Sequence, residues 1–159
     1  MPTCSFSLIV PVDAHVAWRY VMDYENTIEW DPDIRSVSKN ATVGDERTWD
    51  VEILEFPSVK FMCSMEAESS AWNGPSQSVT FNLETEKPSS NICIRETFTV
   101  EACEGSSRIS YRMHIGIQGW RSIPCLRGAT WFRYRARSAS TCKQLCDKVS
   151  AYDTNAGSV

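Results

Sequence analysis

The sequence predicts an α+β domain in which a curved seven-stranded antiparallel sheet wraps a long C-terminal helix, with two short helices after the first strand. Three observations lead there. From Ile34 onward, apolar residues recur with period two, punctuated by short turn sequences. Those short links demand antiparallel neighbours, because parallel strands need long crossovers. From about residue 124 to 152 the period changes to that of a helix, too long to stand without an apolar partner.

The elements follow in order. Phe6, Leu8 and Val10 alternate with Ser7 and Ile9, giving a first strand that Pro11 ends. Asp13 stands where a helix N-cap belongs, for a short helix through Met22 carrying Val16, Trp18 and Val21. A second short helix or turn covers 24–30 and stops at Asp31-Pro32. Strands are expected at about 34–39, 47–55, 59–68, 77–85, 91–102 and 107–119. Between them lie Val43-Gly44-Asp45, Phe56-Pro57-Ser58, Asn73-Gly74-Pro75, Lys87-Pro88-Ser89 and Glu104-Gly105-Ser106.

Strand parity separates two faces. Trp49, Val51, Ile53, Phe61, Cys63, Met65, Val79, Phe81, Leu83, Ile92, Ile94, Phe98, Val100, Ile109, Tyr111, Met113, Ile115 and Ile117 fall on one side. Asp50, Glu52, Lys60, Glu66, Asn82, Arg95, Thr97, Arg112 and His114 fall on the other, so one face is wet. On the last helix, Trp131, Ser138, Cys142, Leu145, Val149 and Tyr152 form a stripe, widened by Phe132, Ala139 and Cys146. Arg133, Arg137, Ser140, Gln144, Asp147 and Lys148 lie opposite, and Arg135 interrupts the stripe one turn after Trp131.

At 159 residues the chain reads as one domain over 1–152 with a flexible tail at 153–159, large enough to enclose a cavity. A formal charge of -4 argues against nucleic acid or an anionic membrane as the main partner. No window resembles a membrane span or signal peptide, and the expected compartment is the cytoplasm. Seven cysteines without a Cys-x-x-Cys pair fit free thiols in a reducing setting. Cys142 and Cys146 have the spacing of metal ligands, but with only His15 and His114 in the chain no metal is expected.

Two stretches resemble a known family. Ser7-Leu-Ile-Val-Pro-Val-Asp-Ala-His-Val-Ala-Trp18 is similar to the opening of the START-like (SRPBCC, Bet v 1-like) superfamily, where a strand runs through proline into a tryptophan-bearing helix. Asp23-Tyr-Glu-Asn-Thr-Ile-Glu-Trp30-Asp-Pro32 resembles the second-helix signature of its polyketide cyclase/dehydrase group, and Val43-Gly44 the valine-glycine before the third strand. The resemblance implies the helix-grip fold and a cavity for a hydrophobic ligand. It implies no shared catalytic triad and no cofactor, and the glycine-rich loop of the plant pathogenesis-related branch is absent. Trp18, Asp23, Trp30 and Pro32 then read as scaffold, with Trp30 also able to flank the cavity.

Within that frame Glu96 is the anomaly, since it shares inward parity with Ile94 and Phe98. A buried carboxylate must be paired, protonated or hydrated. Arg135 points to the same space from the helix and is its expected partner, while Tyr111 on the inner face offers a hydroxyl. Glu96, Arg135 and Tyr111 are thus the candidate catalytic residues. Trp49, Phe61, Met65, Phe81, Phe98, Met113, Trp131 and Ser138 are the candidate ligand wall. Structural readings stay open beside these: Glu96 as a tie between helix and sheet, Arg135 as a snorkelling side chain, Tyr111 as plain wall. Arg127, Arg133, Arg135 and Arg137 make the helix basic, as a solvated face or a surface for an acyl carrier protein. Two functions compete: a polyketide cyclase/dehydratase-like enzyme that folds its substrate, and a non-catalytic lipid or sterol-like carrier.

Overall fold

The computed structural model describes residues 3–40, 47–54, 59–85, 92–117 and 140–152. Seven strands form one antiparallel sheet: β1 (Thr3–Val10), β2 (Ile34–Lys39), β3 (Thr48–Ile53), β4 (Lys60–Ala67), β5 (Ser76–Thr85), β6 (Ile92–Cys103) and β7 (Ser106–Ile117). Their order across the sheet is β1-β7-β6-β5-β4-β3-β2, so β2 to β7 form a meander and β1 closes beside β7. The first two strands therefore sit at opposite edges. Helix α1 (Ala14–Met22) and a 3₁₀ helix (Tyr24–Glu29) make the connection, with α1 lying against β6 and β7. The sheet curls into a half-barrel around the C-terminal helix, and the helix-grip expectation holds.

Turn chemistry sets the register. Cys103 pairs with Ser106, which leaves Glu104-Gly105 as a two-residue turn, and Gly105 has φ of 71°. A side chain there would be strained, which is why glycine occupies it. The pairing then runs through Phe98↔Tyr111 and Glu96↔Met113 to Ile92↔Ile117.

The helix ends differ from expectation in one respect. Asp13 occupies the N-cap of α1, and its carbonyl accepts from Val16 and Ala17 at 3.0 and 3.1 Å. Its side chain makes no cap bond. The side-chain cap belongs instead to Asp23, whose Oδ1 accepts from the backbone N–H of Glu25 at 3.1 Å and starts the 3₁₀ helix. Seven of nine α1 residues are buried, Trp18 completely. That breadth explains why its apolar pattern looks diffuse in the sequence.

The inward face is as the alternation predicts: Trp49, Val51, Phe61, Cys63, Val79, Phe81, Leu83, Phe98, Val100 and Ile109 are all buried. Met65 is only half-buried, near the far end of β4. Of the last helix, residues 140–152 are described and are called α2. Thr141, Leu145 and Val149 are buried and Cys142, Cys146 and Tyr152 half-buried, so the stripe centres on Leu145 and Val149. Ser140, Gln144, Asp147 and Lys148 are exposed, as expected. Tyr152 meets Tyr20 edge-on at 5.4 Å, and Cys146 Sγ lies 4.0 Å from the carbonyl of Ile9. The C-terminal turns of α2 thus rest over α1 and β1.

Candidate functional site

The site is built from β6 outward. Glu96 follows the alternation of its strand and is buried at 2% exposure. Across the sheet it faces Phe81 on β5 and Met113 on β7. Tyr111, two residues before Met113, is its diagonal neighbour on the same face. Its hydroxyl donates to Glu96 Oε1 at 2.5 Å. The 3₁₀ helix contributes Tyr24, 1% exposed, whose hydroxyl donates to Oε2 at 2.6 Å. Two phenols therefore clasp one carboxyl in the interior.

Burial pushes the Glu96 carboxyl above its ordinary value, and the hydrogen bonds from Tyr111 and Tyr24 pull back against that. Burial, then the facing carboxylate, drives the Tyr24 phenol well up. The thiol of Cys63 on β4 is also raised, first by burial and then by the charge of Glu96. The group is thus electrostatically coupled and holds its protons tightly.

An aromatic wall surrounds it. Tyr24 packs on Phe81 at 4.9 Å and on Trp49 at 6.0 Å. Phe98 meets Tyr111 at 5.0 Å and Phe81 at 6.1 Å. Trp30 stands edge-on to Phe98 and Tyr111 at 5.9 and 6.0 Å, so it belongs to the interior. Phe6 on β1 stacks on Tyr111 at 4.9 Å. Trp49 Nε1 is buried and has no hydrogen-bond partner among the described residues.

Of the candidates from sequence, the structure brings together Glu96, Tyr111, Phe81, Phe98 and Met113, with Trp49 reached through Tyr24. Phe61 is buried on β4 opposite Val51, and Met65 faces Phe81, in the same cross-strand row as Glu96. Arg135, Trp131 and Ser138 lie outside the described residues, as do Arg127, Arg133, Arg137 and Cys125. The expected Glu96–Arg135 pair lies there too, and the partners described for Glu96 are phenols. Tyr24 is the residue of this cluster that sequence reasoning missed. Its position inside the second-helix motif, beside Trp30, was the available signal.

His15 is exposed, and His114 on the outer face lies 3.0 Å from Thr3 Oγ1 through Nδ1. Among the described residues no three His, Cys, Asp or Glu side chains gather as metal ligands.

A family model described as polyketide cyclase / dehydrase and lipid transport matches residues 1–140. The chain belongs to that family. No curated protein sequence matches it significantly. Among solved structures, a Thermus thermophilus protein superposes with a TM-score of 0.68 at 15% identity, covering 94% of this chain and 98% of that one. An aromatase/cyclase from Streptomyces gives 0.66 at 5% identity, with 92% of each chain covered. A START superfamily protein from Mycobacterium smegmatis gives 0.65 at 15% identity, covering 94% and 97%. At such identities these likenesses establish the fold, and membership of the family supports a hydrophobic ligand-binding interior. Among the described residues no helix is long and apolar enough to cross a membrane.

Proposed function

We propose that this family member binds a hydrophobic, polyketide-like or lipid-like molecule between the inner sheet face and the C-terminal helix. On this proposal it acts as a cyclase/dehydratase-like enzyme without a cofactor. The observation that carries the reading is the Tyr24–Glu96–Tyr111 cluster, a titratable group set deep in an aromatic wall. A mere clamp needs neither the depth nor the coupling. Trp49, Phe61, Met65, Phe81, Phe98 and Met113 would hold the ligand from the sheet. Trp131, Ser138 and Arg135 would do so from the helix side.

The chemistry is proton transfer at carbonyl-bearing carbons. Glu96, its proton affinity raised by burial, takes a proton from a carbon next to a carbonyl. The C–H electrons move into an enolate, whose carbon attacks a second carbonyl and forms the ring bond. The resulting alkoxide recovers the proton from Glu96. The carboxylate then takes a second proton from the same α-carbon, the C=C bond forms as the C–O bond breaks, and the departing hydroxide leaves as water with the proton from Glu96. Tyr111 and Arg135 would stabilise the oxyanion, and the wall would select the folded conformer. An acyl carrier protein is the partner on which such a chain would arrive. Cys63, Cys93, Cys103, Cys142 and Cys146 are free thiols, which supports a reducing compartment such as the cytoplasm.

A second reading is a lipid carrier. It is favoured by the fact that both oxygens of Glu96 are already bonded within the protein, and by lipid transport in the family's description. Native mass spectrometry of the purified protein identifies any co-purified ligand. That ligand is then incubated with protein in deuterium oxide. Deuterium entering at carbon with wild type and not with Glu96→Gln supports the enzyme. Binding by both without exchange supports the carrier, and the absence of any saturable ligand sinks both.

A further inference from the structure

Trp49 is the inward residue of β3 nearest the polar cluster, and it is 1% exposed. Its indole is held on two sides, by Tyr24 at 6.0 Å and by Phe81 at 5.8 Å. The same Tyr24 ring reaches Glu96 with its hydroxyl, so the indole and the carboxyl flank one side chain. Yet Nε1–H, a strong donor, meets no acceptor among the described residues. The flanking rings offer only a weak π acceptor. A buried donor without a partner costs stability, which phenylalanine at the same position would avoid.

The contrast with neighbouring polar groups is informative. Trp18 is as buried as Trp49, and its Nε1 donates to the carbonyl of Ser70 at 3.1 Å. Tyr24 and Tyr111 spend their hydroxyls on Glu96. The other unpartnered buried polar atom among the described residues is Ser107 Oγ, at the base of the β6–β7 hairpin opposite Val10 and Ala102. Its strand partners there are aliphatic, whereas Trp49 stands in the aromatic wall.

We propose that the Trp49 indole N–H is the polar anchor of the ligand, and that the ligand is a planar, apolar molecule carrying a carbonyl-type oxygen that accepts this hydrogen bond. The inference rests on the interior ligand site proposed above and names the chemistry of its occupant. Flat rings suit the aromatic surroundings that Tyr24 and Phe81 give Trp49, and a single oxygen at the indole fixes their orientation. An oxygen on this side also sets the carbonyl beside the Tyr24–Glu96 pair, where the adjacent carbon would lose its proton.

The test uses two probes of nearly the same shape, 9-fluorenone with a ring carbonyl and fluorene with a methylene in its place. Each displaces the neutral dye Nile red from wild type and from Trp49→Phe. Wild type is expected to bind the ketone about tenfold more tightly than the hydrocarbon, as for one added hydrogen bond to a buried donor. Trp49→Phe should bind both alike. Equal affinities in wild type, with saturable binding, overturn the anchor and leave the interior site standing. A ketone preference that survives in Trp49→Phe overturns it too. Failure of either probe or dye to saturate overturns both the anchor and the site. Should Trp49→Phe not fold, indole nitrogen–proton spectra of ¹⁵N-tryptophan-labelled wild type decide. The Trp49 signal, assigned by its contacts to Tyr24 and Phe81 ring protons, should move downfield with fluorenone and not with fluorene. No difference overturns the anchor.

Discussion

Gln77 and Glu96 occupy adjacent strands, both point inward, and both are nearly inaccessible at 9% and 2% exposure. Their hydrogen bonds differ in kind. Gln77 uses its amide on backbone, donating to the carbonyls of Ser69 and Ala71 at 2.9 and 3.1 Å and accepting from the N–H of Asn73 at 2.9 Å. It pins the β4–β5 connection, to which Trp18 also reaches through Ser70. Glu96 makes its bonds to two phenol side chains, all three of them titratable. A neutral group tied to backbone builds a loop. An ionisable group tied to ionisable groups stores a proton, and its burial raises the energy of its charged form.

Gln77→Leu should give the largest change, since it keeps the volume while leaving three backbone groups without partners. Chemical denaturation is expected to show a loss of about 3 kcal/mol, independent of pH. A loss below about 1 kcal/mol would mean water replaces the amide and the loop does not depend on it.

Tyr111→Phe should cost about 2 kcal/mol at neutral pH, because one oxygen of a buried carboxyl loses its donor. With that donor gone the folded-state Glu96 holds its proton more firmly, so the cost should shrink in acid. Tyr24→Phe should behave alike. The double variant should cost less than the two single costs together, because a protonated carboxyl no longer needs both donors. Strict additivity and a flat pH profile would remove Glu96 from the class of coupled groups.

Glu96→Gln should change stability by less than about 1 kcal/mol at pH 7, since the amide retains size and hydrogen-bonding capacity. Its sign should depend on pH. The folded-state value of Glu96 is raised above the ordinary 4.5, so its contribution is complete below that value and lost as pH rises through the folded one. Gln loses nothing as pH rises, and the variant should gain on wild type as pH rises above 4.5 in thermal melts. A gain in the opposite direction would show a carboxyl stabilised as its anion.

The smallest effect belongs to the outer face. Thr97 Oγ1 meets Thr80 Oγ1 at 3.0 Å, half-buried over a polar groove that Arg95, Arg112 and His114 share. Thr97→Val should alter stability by less than about 0.5 kcal/mol, as water replaces the lost partner and valine suits a strand. A loss as large as that of Tyr111→Phe would erase the distinction between the two faces.

Much of this was legible residue by residue. Alternation placed Glu96 inward because a strand has period two, and the Glu104-Gly105 turn fixes a register in which Tyr111 must sit diagonal to it. The pair was therefore readable from local sequence, although only the separate residues were singled out. Residues 34–39 were expected as a strand and are one, Ile34–Lys39, while the flanking turns bounded the other strands to within two residues. Three things required the tertiary structure. Tyr24 comes from a 3₁₀ helix 72 residues away from Glu96, and its parity says nothing until the connection between the sheet edges is folded over the interior. Asp23 rather than Asp13 supplies a side-chain cap, a matter of rotamer that composition does not determine. Trp49 reads as one more apolar wall residue until its surroundings reveal that no described residue offers its N–H an acceptor. Periodicity reports which face a side chain takes, because that depends on its own backbone. What meets it on that face depends on chain segments far apart in sequence, and only packing brings them together.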